Sequence, residues 1–338
     1  MKILNKSPAE IALKLCAPIL RIATEAGFLG TKIGGKSKSI WPKGKKPKIC
    51  IVYLVSPRKE THTGSAMKKE GISKLDVFTE SLKSARKFLP EYPVIIFHED
   101  YTKDDFAKIR GAVEDKKITF AKVDFDLYKR RRNLNQWLKE SGAKSGRPAG
   151  YQMMCRFFCG VMQSSKQLAP YDYYIRLDHD SFFIEPKKWE AEKLIEKNNF
   201  DYMYRSIFRD PVEIESLWKF TKKFAKDNSI SLDRFKQLGL LDKNGNYNGL
   251  CPYTNFHMAK LDFWKRKDVR KYLNEIEKMD GILKLKWDDA TIQAMLLGLF
   301  DPVIIEKTDF GYRHNFHYSL QGSLRIRYIQ GGRPNDWP

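Results

Sequence analysis

Two aspartates two residues apart, in Leu177-Asp178-His179-Asp180-Ser181, directly follow the run Tyr171-Asp-Tyr-Tyr-Ile-Arg-Leu177. That run reads as a buried, aromatic-rich strand. In an open α/β sheet, ligands bind beyond the carboxyl ends of the strands. Two closely spaced carboxylates there can hold a hard divalent cation, and such a cation in turn bridges a diphosphate. The competing reading is a strand-end turn or cap. Two further charged residues bear on the same chemistry. Arg156 could grip a phosphate bidentately or pair with a carboxylate such as Asp178. Asp289, in Trp287-Asp-Asp-Ala290, opens an apolar helix. It is either a first-turn carboxylate favoured by the helix dipole or a group that binds sugar hydroxyls or assists an acceptor.

These residues need a scaffold. Cys50-Ile-Val-Tyr-Leu-Val55, Pro93–Phe97 and Thr119–Val123 read as strands. Between the first two, Leu75, Phe78, Leu82, Ala85 and Leu89 share one helical face. Strands alternating with helices predict an α/β fold with a largely parallel sheet. Tyr151–Lys166 reads as a helix leading into the Tyr171–Leu177 strand. Asn255–Trp264 reads as strand and turn, and Asp268–Met279 and Asp289–Leu297 as helices. Lys129–Gly150 is basic and loop-like, either a solvated insertion or a phosphate-contacting lid.

Upstream, Ser7-Pro-Ala-Glu10 is a capping box with proline at the first helical position. Ile11, Leu15, Ile19, Ile22 and Ala26 follow at helical spacing, with a kink expected at Pro18. This helix packs on the main domain or lies on an anionic membrane. Thr31–Lys48, rich in Gly, Lys, Ser and Pro, reads as a linker. The expected organisation is therefore an amphipathic helix and basic linker over 1–45 and the α/β domain over 46–338.

The 338 residues carry 62 Lys and Arg against 41 Asp and Glu, a net charge of +21 that favours anionic partners. The most apolar early stretch, Ile11–Phe28, is interrupted by Lys14, Pro18, Arg21 and Glu25, so no span is expected and the domain reads as soluble. Cysteines at 16, 50, 155, 159 and 251 include no CxxC pair. Reduced thiols are the default, with a Cys155–Cys251 bridge left open. Cys155 and Cys159, four apart on a helix, read as small buried residues.

Several stretches together resemble the fungal α-1,2-mannosyltransferases of glycosyltransferase family 15, over about residues 48–320. They are Leu75-Asp-Val-Phe-Thr-Glu-Ser-Leu82, Tyr92-Pro-Val-Ile-Ile-Phe97, Tyr151-Gln-Met-Met-Cys-Arg-Phe157, Tyr171-Asp-Tyr-Tyr-Ile-Arg176, Thr254-Asn-Phe256, Phe263-Trp264, Trp287-Asp-Asp-Ala290 and Asp309-Phe-Gly-Tyr-Arg-His314. The resemblance implies a GT-A-like, Rossmann-type mixed sheet flanked by helices. It also implies GDP-mannose as donor, manganese as metal, a glycan or glycolipid acceptor, and transfer with retention. Asp178 and Asp180 fall on the family's Glu-Pro-Asp metal motif, and His314 on a histidine expected to complete the coordination. Tyr151 matches a tyrosine near the donor phosphates, where a phenol can donate to an anionic oxygen; ordinary aromatic packing is the other reading. One departure stands out: the family continues Asn255-Phe256 with a glutamate proposed as nucleophile, where this chain has His257. An imidazole cannot form and release a glycosyl ester as a carboxylate does. Either another carboxylate serves, or the acceptor attacks on the leaving-group face while His257 hydrogen-bonds donor or acceptor. Family members are usually Golgi-anchored. With no anchor evident, a cytoplasmic or peripheral membrane location is expected, or the Golgi lumen if an anchor is supplied otherwise.

Two other functions compete. A haloacid-dehalogenase-type phosphohydrolase also sets Asp-x-Asp at a strand end, but that motif lies early in its domain and continues with threonine or valine; here Ser181-Phe182 follow. A basic nucleic-acid-binding protein would use Lys129-Arg-Arg-Arg132 and the net charge. The positive residues are dispersed, however, and no recognised motif is present, so no nucleic-acid partner is expected.

Overall fold

The computed structural model describes residues 41–314, apart from 43, 56–72, 90–91, 114–116, 126–146, 148, 184–189 and 307–309. The expected helix at 7–28 and most of the basic segment 129–150 lie outside the described residues.

The described strands are β1 (Ile49–Leu54), β2 (Val94–His98), β3 (Ile118–Lys122), β4 (Tyr173–Asp178), β5 (Ser181–Phe183), β6 (Tyr202–Tyr204), β7 (Ile207–Arg209), β8 (Leu250–Pro252), β9 (Phe256–Lys260), β10 (Ile304–Glu306) and β11 (Tyr312–His314). Seven of them form one sheet in the order β10-β6-β9-β4-β1-β2-β3. β4, β1, β2 and β3 run parallel. β9 runs antiparallel between β4 and β6, so the sheet is mixed, not simply parallel. The strand order changes direction beside β1 and β4, the kind of switch point where α/β sheets bind ligands.

Alternation along β4 assigns its side chains to the two faces. Tyr173, Ile175 and Leu177 join Ile51, Tyr53 and Val94 in one core layer, while Tyr174 joins Cys50, Val52 and Ile95 in the other. Arg176 and Asp178 therefore point to the Tyr174 face. Helix Lys74–Phe88 is capped by Ser73, whose hydroxyl accepts from the Asp76 N–H at 3.1 Å, and buries Val77, Phe78, Leu82 and Ala85. Helix Asp289–Leu299 is buried all round, as a core helix with apolar residues on every side must be.

The helix expected over Tyr151–Lys166 stops early. Ala149–Arg156 is α-helical, Phe157–Val161 forms a π-type turn and Met162–Ser164 a 3₁₀ turn. Gly160 sits at φ 114°, a conformation that breaks the helical path and suits glycine. Gln163 satisfies the disturbed backbone: its side-chain oxygen accepts from Gly160 N–H at 2.9 Å, and its amide donates to Phe158 O at 3.1 Å. As a result the Phe158 ring lies against Arg176, with the guanidinium carbon 3.4 Å from the ring centroid.

The end of the expected linker packs on the domain. The Trp41 ring lies 5.9 Å from that of Tyr173, and Lys48 N–H donates to the Asp172 carboxylate at 2.8 Å. Cys50, Cys155, Cys159 and Cys251 are buried free thiols, so the Cys155–Cys251 bridge is not formed. Among the described residues no helix is long and apolar enough to cross a membrane.

Candidate functional site

Asp178 is the last residue of β4, and the turn His179-Asp180 leads straight into β5. β5 pairs antiparallel with β11, with Ser181 opposite His314. This register brings a residue from near the end of the described chain onto the paired carboxylates. His314 Nε2 lies 3.0 Å from Asp180 Oδ1 and 3.5 Å from Asp178 Oδ2. The short two-stranded sheet is locked from below: the Tyr312 hydroxyl lies 2.7 Å from Ser181 Oγ and donates to Asn255 O at 3.1 Å.

The electrostatics follow from crowding. Burial alone would lower the His314 imidazole, but Asp178 and Asp180 outweigh it and raise it to about 11, so the ring is a cation. Burial would raise Asp178, yet Arg176 and then His314 hold its carboxyl below the ordinary range. In this state the protonated ring bridges the two carboxylates. Among the described residues no group of three or more His, Cys, Asp or Glu side chains stands ready as a coordination shell. The donor set still fits a divalent ion, since two carboxylates and an imidazole that has lost its Nε2 proton are the ligands Mn2+ accepts.

His314 is aimed by Tyr253, whose hydroxyl lies 3.0 Å from Nδ1. Such an outer partner fixes ring orientation and leaves Nε2 turned to the two carboxylates. Tyr253→Phe removes only that hydroxyl. It is expected to weaken Mn2+ binding roughly 10-fold, within the range usual for outer partners, as read by isothermal titration. Unchanged affinity would show that the phenol is incidental.

A second layer of charge lies behind the carboxylates. Arg176 is 1% exposed, and it donates from Nε and Nη2 to Asp178 Oδ1 and from Nη1 to Asp289. Asp289 begins its helix, where the dipole favours a carboxylate. Asp288 is the N-cap, its Oδ1 accepting from Thr291 N–H at 2.7 Å. Arg147 joins Asp288, at 2.8 Å, to Asp210, and its guanidinium lies 5.2 Å from the centre of the Tyr151 ring. Tyr151 is half-buried; burial first, then the charges near it, Asp289 and Asp288 among them, raise its phenol well above the usual range. The phenol therefore stays protonated and able to donate.

Two of the expected site residues are engaged elsewhere. Arg156 is tied to Glu277, with Nε 2.8 and 3.0 Å from the two carboxylate oxygens, so of its two readings the structure realises a salt bridge, and not with Asp178. His257 lies on β9 with no exposed surface, stacked on Tyr202 at 5.2 Å. Its Nδ1 meets the Thr254 carbonyl at 3.2 Å and its Nε2 the Tyr174 hydroxyl at 3.0 Å. A carbonyl only accepts, so Nδ1 carries the proton and Nε2 accepts from Tyr174. Both nitrogens are used inside the fold, which leaves none for a donor or acceptor.

Burial, and then the Arg176 charge, lower His257 from 6.5 to about 3. Between those values the unfolded chain binds the extra proton. The contribution of His257 to stability is thus complete above pH 6.5 and falls as the pH drops, by about 1.4 kcal/mol per unit. Asp288, raised to about 6 mainly by burial, acts with the opposite sign below that pH. The clean measurement is therefore a difference. From pH 6.5 to 5 the native chain should lose about 2 kcal/mol more urea stability than His257→Gln, and parallel profiles would refute a neutral, buried imidazole.

Sequence reasoning did not single out Arg176, Tyr253 or Arg147, and Asp288 entered it only beside Asp289, as a possible second acidic motif of a phosphohydrolase. Arg176 had a signal, a lone charge inside an otherwise apolar strand; the other three are placed by contacts across the fold.

Comparison with known proteins bears on the family and the fold. The family described as glycolipid 2-alpha-mannosyltransferase matches residues 39–325. Glycolipid 2-alpha-mannosyltransferase 2 of Candida albicans is 28% identical over 257 residues, 72% of this chain and 55% of that protein. The chain thus spans about half the length of that relative. The X-ray structure of the mannosyltransferase Ktr4p from S. cerevisiae superimposes with a TM-score of 0.71 at 20% identity, over 96% of this chain and 87% of that one. Core-mannan synthase A (CmsA/Ktr4) from Aspergillus fumigatus, in an Mn/GDP form, gives 0.65 at 20% identity, over 90% and 87%. These two likenesses establish a GT-A glycosyltransferase fold. With a sequence match that runs through every site element from β1 to β11, the chain belongs to the glycolipid 2-alpha-mannosyltransferase family, glycosyltransferase family 15.

Proposed function

We propose that this chain is a metal-dependent, retaining glycosyltransferase that moves mannose from GDP-mannose to a hydroxyl of a glycan or glycolipid, forming an α-1,2 linkage. The observation that carries the reading is the meeting of Asp178, Asp180 and His314 at the carboxyl end of β4. The family and the Mn/GDP form of the Aspergillus relative support the donor and the metal. Asp178, Asp180 and His314 would hold the ion, which when bound neutralises charge on the diphosphate. Tyr151, a protonated phenol at the rim, donates to a phosphate oxygen. Asp289, held in place by Arg176, accepts from hydroxyls of the transferred sugar.

No nucleophile is assigned. His257 has both nitrogens occupied, and Asp289 is drawn onto Arg176. The reading therefore favours attack on the leaving-group face. The bond from the anomeric carbon to the phosphate oxygen breaks, the acceptor oxygen takes its place on the same face, and the acceptor proton passes to the departing phosphate. A peripheral membrane contact through the N-terminal amphipathic helix at 7–28 is part of the proposal and concerns residues outside those described.

A thermal-shift series separates this reading from its rivals. GDP at about 100 times its dissociation constant should stabilise the protein by about 2.7 kcal/mol, several degrees in Tm, and only with Mn2+ present. Incubation with GDP-mannose and an α-mannoside should release GDP and yield a product cleaved by an α-1,2-specific mannosidase. Turnover of a simple phosphate ester without sugar transfer would support a phosphohydrolase instead.

A further inference from the structure

Arg176 touches both Asp178 and Asp289, and its contacts are unequal in an informative way. Nε and Nη2 both donate to the same oxygen of Asp178, Oδ1, at 3.2 and 3.1 Å. The other oxygen, Oδ2, is the one that faces His314 Nε2, at 3.5 Å. Nη1 meanwhile reaches Asp289, on a different element. The plane of the fork is held by the Phe158 ring 3.4 Å beneath it, and that ring is set by the π-type turn at Phe157–Val161.

We infer that Arg176 is a positioning residue: it pins one oxygen of Asp178 so that the other is presented to the cation, and it links that presentation to Asp289 on the sugar side. The inference rests on the metal-bound reading proposed above. A carboxylate gripped twice at one oxygen by a planar donor cannot turn about its terminal torsion without breaking both bonds. A flat fork is needed for this, and a lysine ammonium, a point charge, cannot reproduce it. Asp289 gives the fork its second anchor. Losing that anchor should loosen Asp178 although Asp289 itself touches no metal.

The test is Mn2+ binding to the full chain, read from the free-ion electron paramagnetic resonance signal in the presence of GDP, with folding checked by circular dichroism. Arg176→Lys is expected to weaken Mn2+ binding roughly 10- to 100-fold, the range for lost outer partners. Asp289→Asn, which leaves an amide oxygen for the guanidinium, should weaken it by a smaller factor. In the Arg176→Lys background the Asp289→Asn effect should vanish, because the link is already cut. If Arg176→Lys does not fold, Asp289→Asn alone decides. Folded variants that bind Mn2+ within about twofold of the native chain would overturn the positioning role while leaving the metal-bound reading intact. If the native chain takes up no Mn2+, that reading falls and takes this inference with it.

Discussion

Replacing Asp180 by Asn should abolish sugar transfer, with kcat/KM lower by at least about 10³-fold. The estimate follows from the size of metal-ion stabilisation of a leaving group, several kcal/mol, at about 1.4 kcal/mol per tenfold. Asp180 is 3% exposed and closes on His314 at 3.0 Å, so its amide isostere fits the same space. The fold should therefore survive, and the Mn2+-dependent stabilisation by GDP should disappear with the activity. His314→Gln is expected to behave alike, since it removes the third ligand. A fully active Asp180→Asn protein would leave the cation without its ligand and the proposed function without its basis.

A second large effect is structural. Asp289→Ala leaves Arg176, buried at 1% exposure, with Asp178 as its one carboxylate partner among the described residues. Removing one side of a buried ion pair typically costs about 3–5 kcal/mol. The low end, about 3 kcal/mol, is expected because Asp178 still holds the guanidinium. Urea denaturation should show a lower midpoint at unchanged slope, and Asp289→Asn should lose less. An unchanged midpoint would mean that the pair contributes nothing net to the fold.

Much of this architecture is legible in the sequence where elements are long or strongly patterned. The apolar runs of β1, β2 and β4 and the helices Lys74–Phe88, Lys267–Lys278 and Asp289–Leu299 fall within a residue or two of their expected bounds. β5 and β11 were not legible as strands, because three residues carry no period. Yet their pairing is what carries His314 to the aspartates. The reversed direction of β9 was hidden too: an apolar strand between two others looks alike either way round, and only neighbouring backbone bonds fix its sense. From sequence alone His257 reads as a group for donor or acceptor, because its partners, Tyr174 and the Thr254 carbonyl, become neighbours of its ring only once the sheet forms. Arg156 illustrates the opposite difficulty. Its sequence neighbours place it beside Tyr151, but half a helical turn decides whether it faces the cleft or Glu277.

The docking of β11 on β5 also bears on the order in which a growing polypeptide becomes competent. Every strand of the large sheet is complete by Glu306, before the last ligand has emerged. A chain stopped just short of Tyr312 would thus keep the large sheet but lack the clasp, and the proposed metal site would come together only once residues 312–314 had arrived.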